Sequence, residues 1–260
     1  MEIRGGQPFR RRQKIGVLRR KDFRGGCEMV WLCGTDGFKS KWCAVLKNLD
    51  TGEFRFDVVP FQDLLDFPEN PAIIAVDLPI GLPDVTRQGG RACERLAREI
   101  VGPHRARSVF SAVGRVALRA TSRAEADRLS RANGGIGIGA QAWGLAKKLL
   151  EADTVMTPAR QQVIREVHPE LSFREMVGRP LVHGKKTASG KRERIAALVE
   201  QGFPESFVQD VPLGLGVGLD DFLDSCAALW TAGRIYWGTA KRVPAIIERD
   251  THGLDMAMWF

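Results

Sequence analysis

The stretch AVDLPIGLPD, Ala75 to Asp84, decides how this chain is read. Ahead of Asp77 stands a branched apolar run, Ile73-Ile74-Ala75-Val76, of the kind that forms a buried strand. The run stops on a carboxylate, and Pro79, Gly81 and Pro83 follow close behind. A strand end that merely meets water needs no stiffened backbone. A carboxylate held in place for a metal or a proton does.

Upstream, Met29 to Cys33 reads as a buried strand closed by Gly34-Thr35-Asp36-Gly37, and Trp42 to Leu46 as a second. Asn48 to Gly52 is turn chemistry, and Glu53 to Val59 alternates with Phe54, Phe56 and Val58 on one face. That order is an antiparallel meander. Phe61 to Phe67 reads as a short helix, so Ile73–Asp77 is reached through a crossover and lies parallel to the first strand. Downstream, 91–101, 121–132 and 141–152 read as helices, Gln162 to Val167 as a strand ended by Pro169, and 191–201 and 221–237 as helices. The expected fold is α/β: a mixed five-stranded sheet, antiparallel meander then parallel strands, flanked by helices. The expected organisation is one domain over 29–260, with a helical insertion around 88–160, after an arm over 1–28.

Composition fits one sizeable core, with 44% hydrophobic and 27% charged residues in 260. No window approaches a membrane span, and the N-terminus lacks the apolar core of a secretory signal. Five scattered cysteines without C-x-x-C spacing argue against a zinc site or a disulfide framework and fit a reducing cytoplasm. Of the formal charge of +8, +7 resides in the arm: residues 1–25 hold nine Lys and Arg against two acidic residues. Such an arm can grip phosphates in a salt-dependent way.

Carboxylates recur where strands and helices would aim them inward. Asp36 ends the first strand, Asp77 the fourth, and Glu166 lies in the fifth. Asp221 and Asp224 open the last helix at i and i+3 and share a face, which Ser225 and Ala228 continue with small side chains that let the helix approach the sheet. Clustered carboxylates repel and are driven to hold protons unless a cation relieves them. Oxygen-only ligands suit Mg2+ or Mn2+, and such ions can activate water and stabilise a leaving oxygen at a phosphodiester. His168 lies two residues beyond Glu166, on the same strand face.

The segments CGTDGFKSKW, IIAVDLPIGLP, RACERLAR, SVFSAVGR, QAWGLAKKLLEAD, EVHPELSF, KKTASGKRER and DDFLDSCAALWTAGR resemble, in order, the family known as domain of unknown function 429. The resemblance runs from about Val30 to the C-terminus. It implies a ribonuclease H-like fold, a predicted nuclease activity, and metal binding by Asp36, Asp77, Glu166 and the pair Asp221/Asp224. Ser111-Ala112-Val113 departs from the family, which usually carries proline there.

HGKKTASGKRER, His183 to Arg194, places Lys185 and Lys186 beside a turn entering a helix, a suitable phosphate contact. Arg91 and Arg95 lie one turn apart and are expected to face the same cleft. GGIGIGAQAWGLAKK lacks the preceding strand of a dinucleotide fingerprint and reads as a loop with the freedom of a lid. The sequence thus predicts a Mg2+- or Mn2+-dependent nuclease acting on DNA or RNA. Asp36, Asp77, Glu166 and Asp224 are its expected metal ligands and Asp221 a further catalytic carboxylate. Lys185, Lys186, Arg91 and His168 are expected to bind substrate. The alternatives are a non-catalytic module binding nucleic acid or protein, and, behind it, a phosphotransferase or ATPase, for which a second phosphate loop is missing.

Overall fold

A computed structural model describes residues 29–209 and 216–260; the expected basic arm lies outside the described residues. Five strands form one sheet: β1 (Trp31–Phe38), β2 (Lys41–Asn48), β3 (Phe54–Val59), β4 (Ile73–Val76) and β5 (Ile164–Glu166). Their spatial order is β3-β2-β1-β4-β5. The first three are antiparallel, and β4 and β5 are parallel to β1. This is the mixed α/β sheet expected for a ribonuclease H-like fold. β1 runs further than the sequence indicates: Gly34-Thr35-Asp36-Gly37 stays in the strand, and the turn falls at Lys39-Ser40, with Lys39 at φ +49°.

Between β4 and β5 lie α1 (Ala92–Val101), α2 (Arg115–Leu118), α3 (Arg123–Ala132), α4 (Ala140–Gly144) and α5 (Ala146–Val155). After β5 come α6 (Pro169–Val177), α7 (Ala188–Glu200), α8 (Glu205–Gln209) and α9 (Leu219–Tyr236). A hairpin then follows that the sequence reading does not contain: β6 (Arg242–Arg249) and β7 (Asp255–Trp259). Its Trp259 bridges Val167, just past β5.

The period of two in the strands sorts the core into two layers. Cys33, Ile74, Val76 and Ile164 point to the face covered by residues of the helices between β4 and β5, among them Ala117, Ala126 and Leu149. Leu32, Ile73 and Ala75 point to the opposite face, against Phe222, Cys226 and Leu229 of α9 and Phe173 of α6. Gly34 and Ala75 are register partners at the centre of that face. There α9 comes down onto bare backbone: a Cβ on Gly34 would lie 1.9 Å from Leu229 N and 2.4 Å from Ser225 O. Ser225 fits because it is small, and its hydroxyl bonds Cys43 O across the interface at 3.1 Å.

Candidate functional site

The same alternation builds the site. One step of two beyond Gly34 is Asp36, and one beyond Ala75 is Asp77. Since Gly34 pairs with Ala75 and Asp77 N donates to Thr35 O, both carboxylates leave the sheet side by side, toward α9. The first turns of α9 bring Asp224 onto that face, with Asp221 nearby at the margin. Asp36 and Asp224 are buried, and Asp77 and Asp221 half-buried.

Charge in this corner is poorly compensated. Asp36 takes an amide hydrogen bond from Gly37 at 2.7 Å, and Asp77 accepts none among the described residues. Burial, then the neighbouring Asp77 and Asp224, raise the Asp36 carboxyl well above the ordinary range. Burial pushes Asp77 up to about 6; His168 opposes this and Asp224 adds to it. Burial raises Asp224 as well, against the pull of Lys185, whose Nζ lies 2.7 Å from Oδ2. Asp221 is raised by partial burial and by Asp220. Burial opposes the Lys185 charge, yet Asp224 holds its ammonium well above the ordinary lysine range.

Lys185 is placed by a braced loop. Glu193 accepts the amides of Val182 and His183, Thr187 caps α7 through Gly190 N, and Gly190 packs so tightly on Gly184 that a Cβ would lie 2.0 Å from its carbonyl oxygen. Lys186, beside it, is exposed and does not line the cleft.

Two of the expected site residues are tied into buried ion pairs. Glu166 is level with Val76 in the sheet register, not with Asp77, although it also lines the cavity that Asp36 and Asp77 line. Both its oxygens are taken: Arg91 reaches them at 2.6 and 2.8 Å, and Ile80 N donates at 2.7 Å. Glu166 is therefore an anchor rather than a free ligand. Arg91, expected to face substrate, is buried between Glu166 and Glu94 and also donates to the carbonyls of Ile80 and Gly81. Together with Asp250, which accepts Leu82 N at 2.9 Å, this network fixes the loop after Asp77. Stiffness after β4 thus comes from buried carboxylates as well as from proline.

His168 caps α6. Its Nδ1 accepts Glu170 N at 3.3 Å, which leaves Nε2 to carry the proton toward Ser108 O at 3.3 Å. The imidazole so joins the end of β5 to the 104–110 loop and lines the cleft between them.

Asp36, Asp77 and Asp224 lie in a cavity of about 660 Å³. Its other walls include residues the sequence reading passed over: His104, Arg105, Arg107 and Phe110 from the loop after α1, and Lys148 from α5. The basic run His104-Arg105-Ala106-Arg107 was the available signal. Lys148 donates to Lys41 O at 2.6 Å and lies over the Trp42 ring. The Gly134–Gly139 loop does not line this cavity.

Among the described residues, no three His, Cys, Asp or Glu side chains stand grouped so as to hold a metal ion. The donor chemistry nevertheless suits a hard divalent cation: carboxylates raised by burial and mutual repulsion, with one ammonium among them. Asp36, Asp77 and Asp224, which do not stand grouped for it, are the carboxylates that would have to draw together to hold it, with Asp221 at the margin. No helix among the described residues is long and apolar enough to cross a membrane.

No curated protein and no solved structure matches the chain. The model of one family does, over residues 34–249, from the glycine under α9 to the last residue of β6. The chain therefore belongs to the family described as protein of unknown function DUF429.

Proposed function

We propose that this protein hydrolyses phosphodiester bonds of nucleic acid with the help of Mg2+ or Mn2+. The observation that carries the reading is the meeting of Asp36, Asp77 and Asp224, from two strands and one helix, in a cavity rimmed by cationic side chains. A bound divalent ion would supply Lewis acidity and a more acidic water. The protein's own groups bind and orient. Asp36, Asp77 and Asp224 offer hard oxygens. Lys185 holds Asp224 in place and brings positive charge to the phosphate. Arg105 and Arg107 neutralise flanking phosphates. Glu166 and Arg91 keep the Asp77 loop from shifting.

The test is cleavage of labelled DNA, RNA and hybrid strands with Mg2+, with Mn2+ and with EDTA. Metal-dependent cleavage that vanishes in Asp36→Asn and Asp77→Asn is expected. Metal should also raise the melting temperature of the parent and not of these variants. No turnover on any polymer, with no thermal shift, rejects the reading.

A second reading rests on the Lys185–Asp224 pair. An internal ammonium already neutralises part of the cluster, as in a module that binds phosphate without cleaving it. Nucleic-acid binding that survives EDTA, with no turnover, favours it.

A further inference from the structure

The cleft has three kinds of wall. Its floor is acidic, at Asp36, Asp77 and Asp224. One side is basic, at Arg105 and Arg107. Its lining also includes the apolar Phe110 and Met258. Arg107 is exposed and engages no carboxylate among the described residues. Phe110 is half-buried: it packs against the core and also lines the cavity. An acidic floor alone calls for a cation and nothing more. A free guanidinium and an aromatic side chain lining one cavity are the pair of groups that can receive a phosphate and the base attached to it.

Size narrows the ligand. About 660 Å³ is the room of one small-molecule ligand, walled by β5, the 104–110 loop, α5 and α9. A duplex offers a broad convex backbone with its bases stacked inside, so it can rest on the rim but leaves Phe110 untouched. An unpaired strand can put a phosphate over the floor and turn its base to the wall.

Resting on the hydrolase reading above, we propose that the substrate is single-stranded nucleic acid, one nucleotide of which enters the cleft with its base against Phe110 and a neighbouring phosphate on Arg107. Stacking on an aromatic face is tolerant of base identity, so recognition is of strandedness more than of sequence.

The experiment measures binding in EDTA, where cleavage plays no part. Fluorescein-labelled 12-mers of single-stranded DNA, single-stranded RNA and blunt duplex DNA are titrated with the full chain, and anisotropy is followed. A single strand is expected to bind at least tenfold more tightly than the duplex; the DNA and RNA arms show which sugar is preferred. Phe110→Ala should weaken the single strand several-fold with little change in salt dependence. Arg107→Ala should weaken it and lower the slope of log affinity against log salt by about 1. Arg107 is exposed, so its variant reads out even where the loss of the Phe110 ring lowers stability. Equal or tighter duplex binding, no binding at all, or single-strand binding indifferent to both substitutions overturns the proposal; the last outcome assigns the affinity to the basic arm. Single-strand binding without metal-dependent cleavage sinks hydrolysis and leaves this inference standing. Efficient cleavage of blunt duplex interior sites does the reverse.

Discussion

Lys185 Nζ stands 2.7 Å from Asp224 Oδ2, while the charges of Asp36 and Asp77 also act on that ammonium. One cation therefore serves three carboxylates. The site is held together against its own repulsion, and the balance can be tipped one residue at a time.

Lys185→Met removes that cation and strands Asp224. The lysine side chain is 39% exposed, so solvent screens the pair, and the expected loss is about 1 kcal/mol at neutral pH. The gap between variant and parent should narrow in acid, where Asp224 takes up a proton. Urea denaturation at pH 7.5 and pH 4.5 checks both parts.

Asp77→Asn should stabilise the metal-free protein. The folded-state pKa of Asp77 is raised to about 6, so the native chain holds the proton more firmly than the unfolded chain does. Between the ordinary aspartate value and about 6, the native contribution of this group falls as pH rises. The carboxylate thus destabilises at neutral pH and is harmless in acid. The amide variant should gain about 1 kcal/mol at pH 7 in EDTA, with the gain fading toward pH 4. Melting curves across that range decide; a loss at pH 7 contradicts the account of the site.

Glu166→Gln should move stability the other way. The carboxylate holds Arg91 and the Ile80 amide in a buried setting, and its removal leaves the guanidinium short of a partner. Arg91→Met strands two carboxylates, Glu94 and Glu166, and should cost about 3–5 kcal/mol. Burial pushes the Glu166 carboxyl up to about 6 as well, against the pull of Arg91. The expected difference from Asp77 therefore comes from the hydrogen bonds to Arg91 and Ile80 that the substitution removes, and one set of chemical denaturations reads both variants.

Gly34→Ala should prevent folding or cost at least about 3 kcal/mol, because its methyl would overlap the α9 backbone at Leu229. Soluble yield and circular dichroism read this directly. Gly139→Ala, where a Cβ meets nothing within 4 Å, is the control and should be well tolerated.

Much of this arrangement is legible in the chain. Branched runs ending on Asp77, the alternating Phe54-Phe56-Val58 and the small Ser225 and Ala228 indicate the sheet order, the face and the close helix. Asp36, Asp77 and Asp224 are legible because each sits in a fixed phase with apolar neighbours. The buried partner of Glu166 is not legible in the same way. The phase of Glu166 follows Ile164, which faces the helices between β4 and β5, and no local pattern announces that Arg91 waits there. The final hairpin escapes notice because Pro244 and the Asp250–Gly253 turn break up short strands with much of their surface exposed. The rim residues from His104 to Arg107 belong to a loop without periodicity, and only the tertiary fold shows that the loop borders the cleft.

The two amides that fix the loop beyond Asp77 are held by carboxylates distant along the polypeptide, 86 residues away for Ile80 and 168 for Leu82. Closing such spans is slow compared with forming neighbouring strands. During refolding the meander can form on its own, whereas the stretch next to Asp77 must wait for β5 and then for the terminal hairpin. The Asp77 corner is thus fixed only once distant parts of the chain have docked.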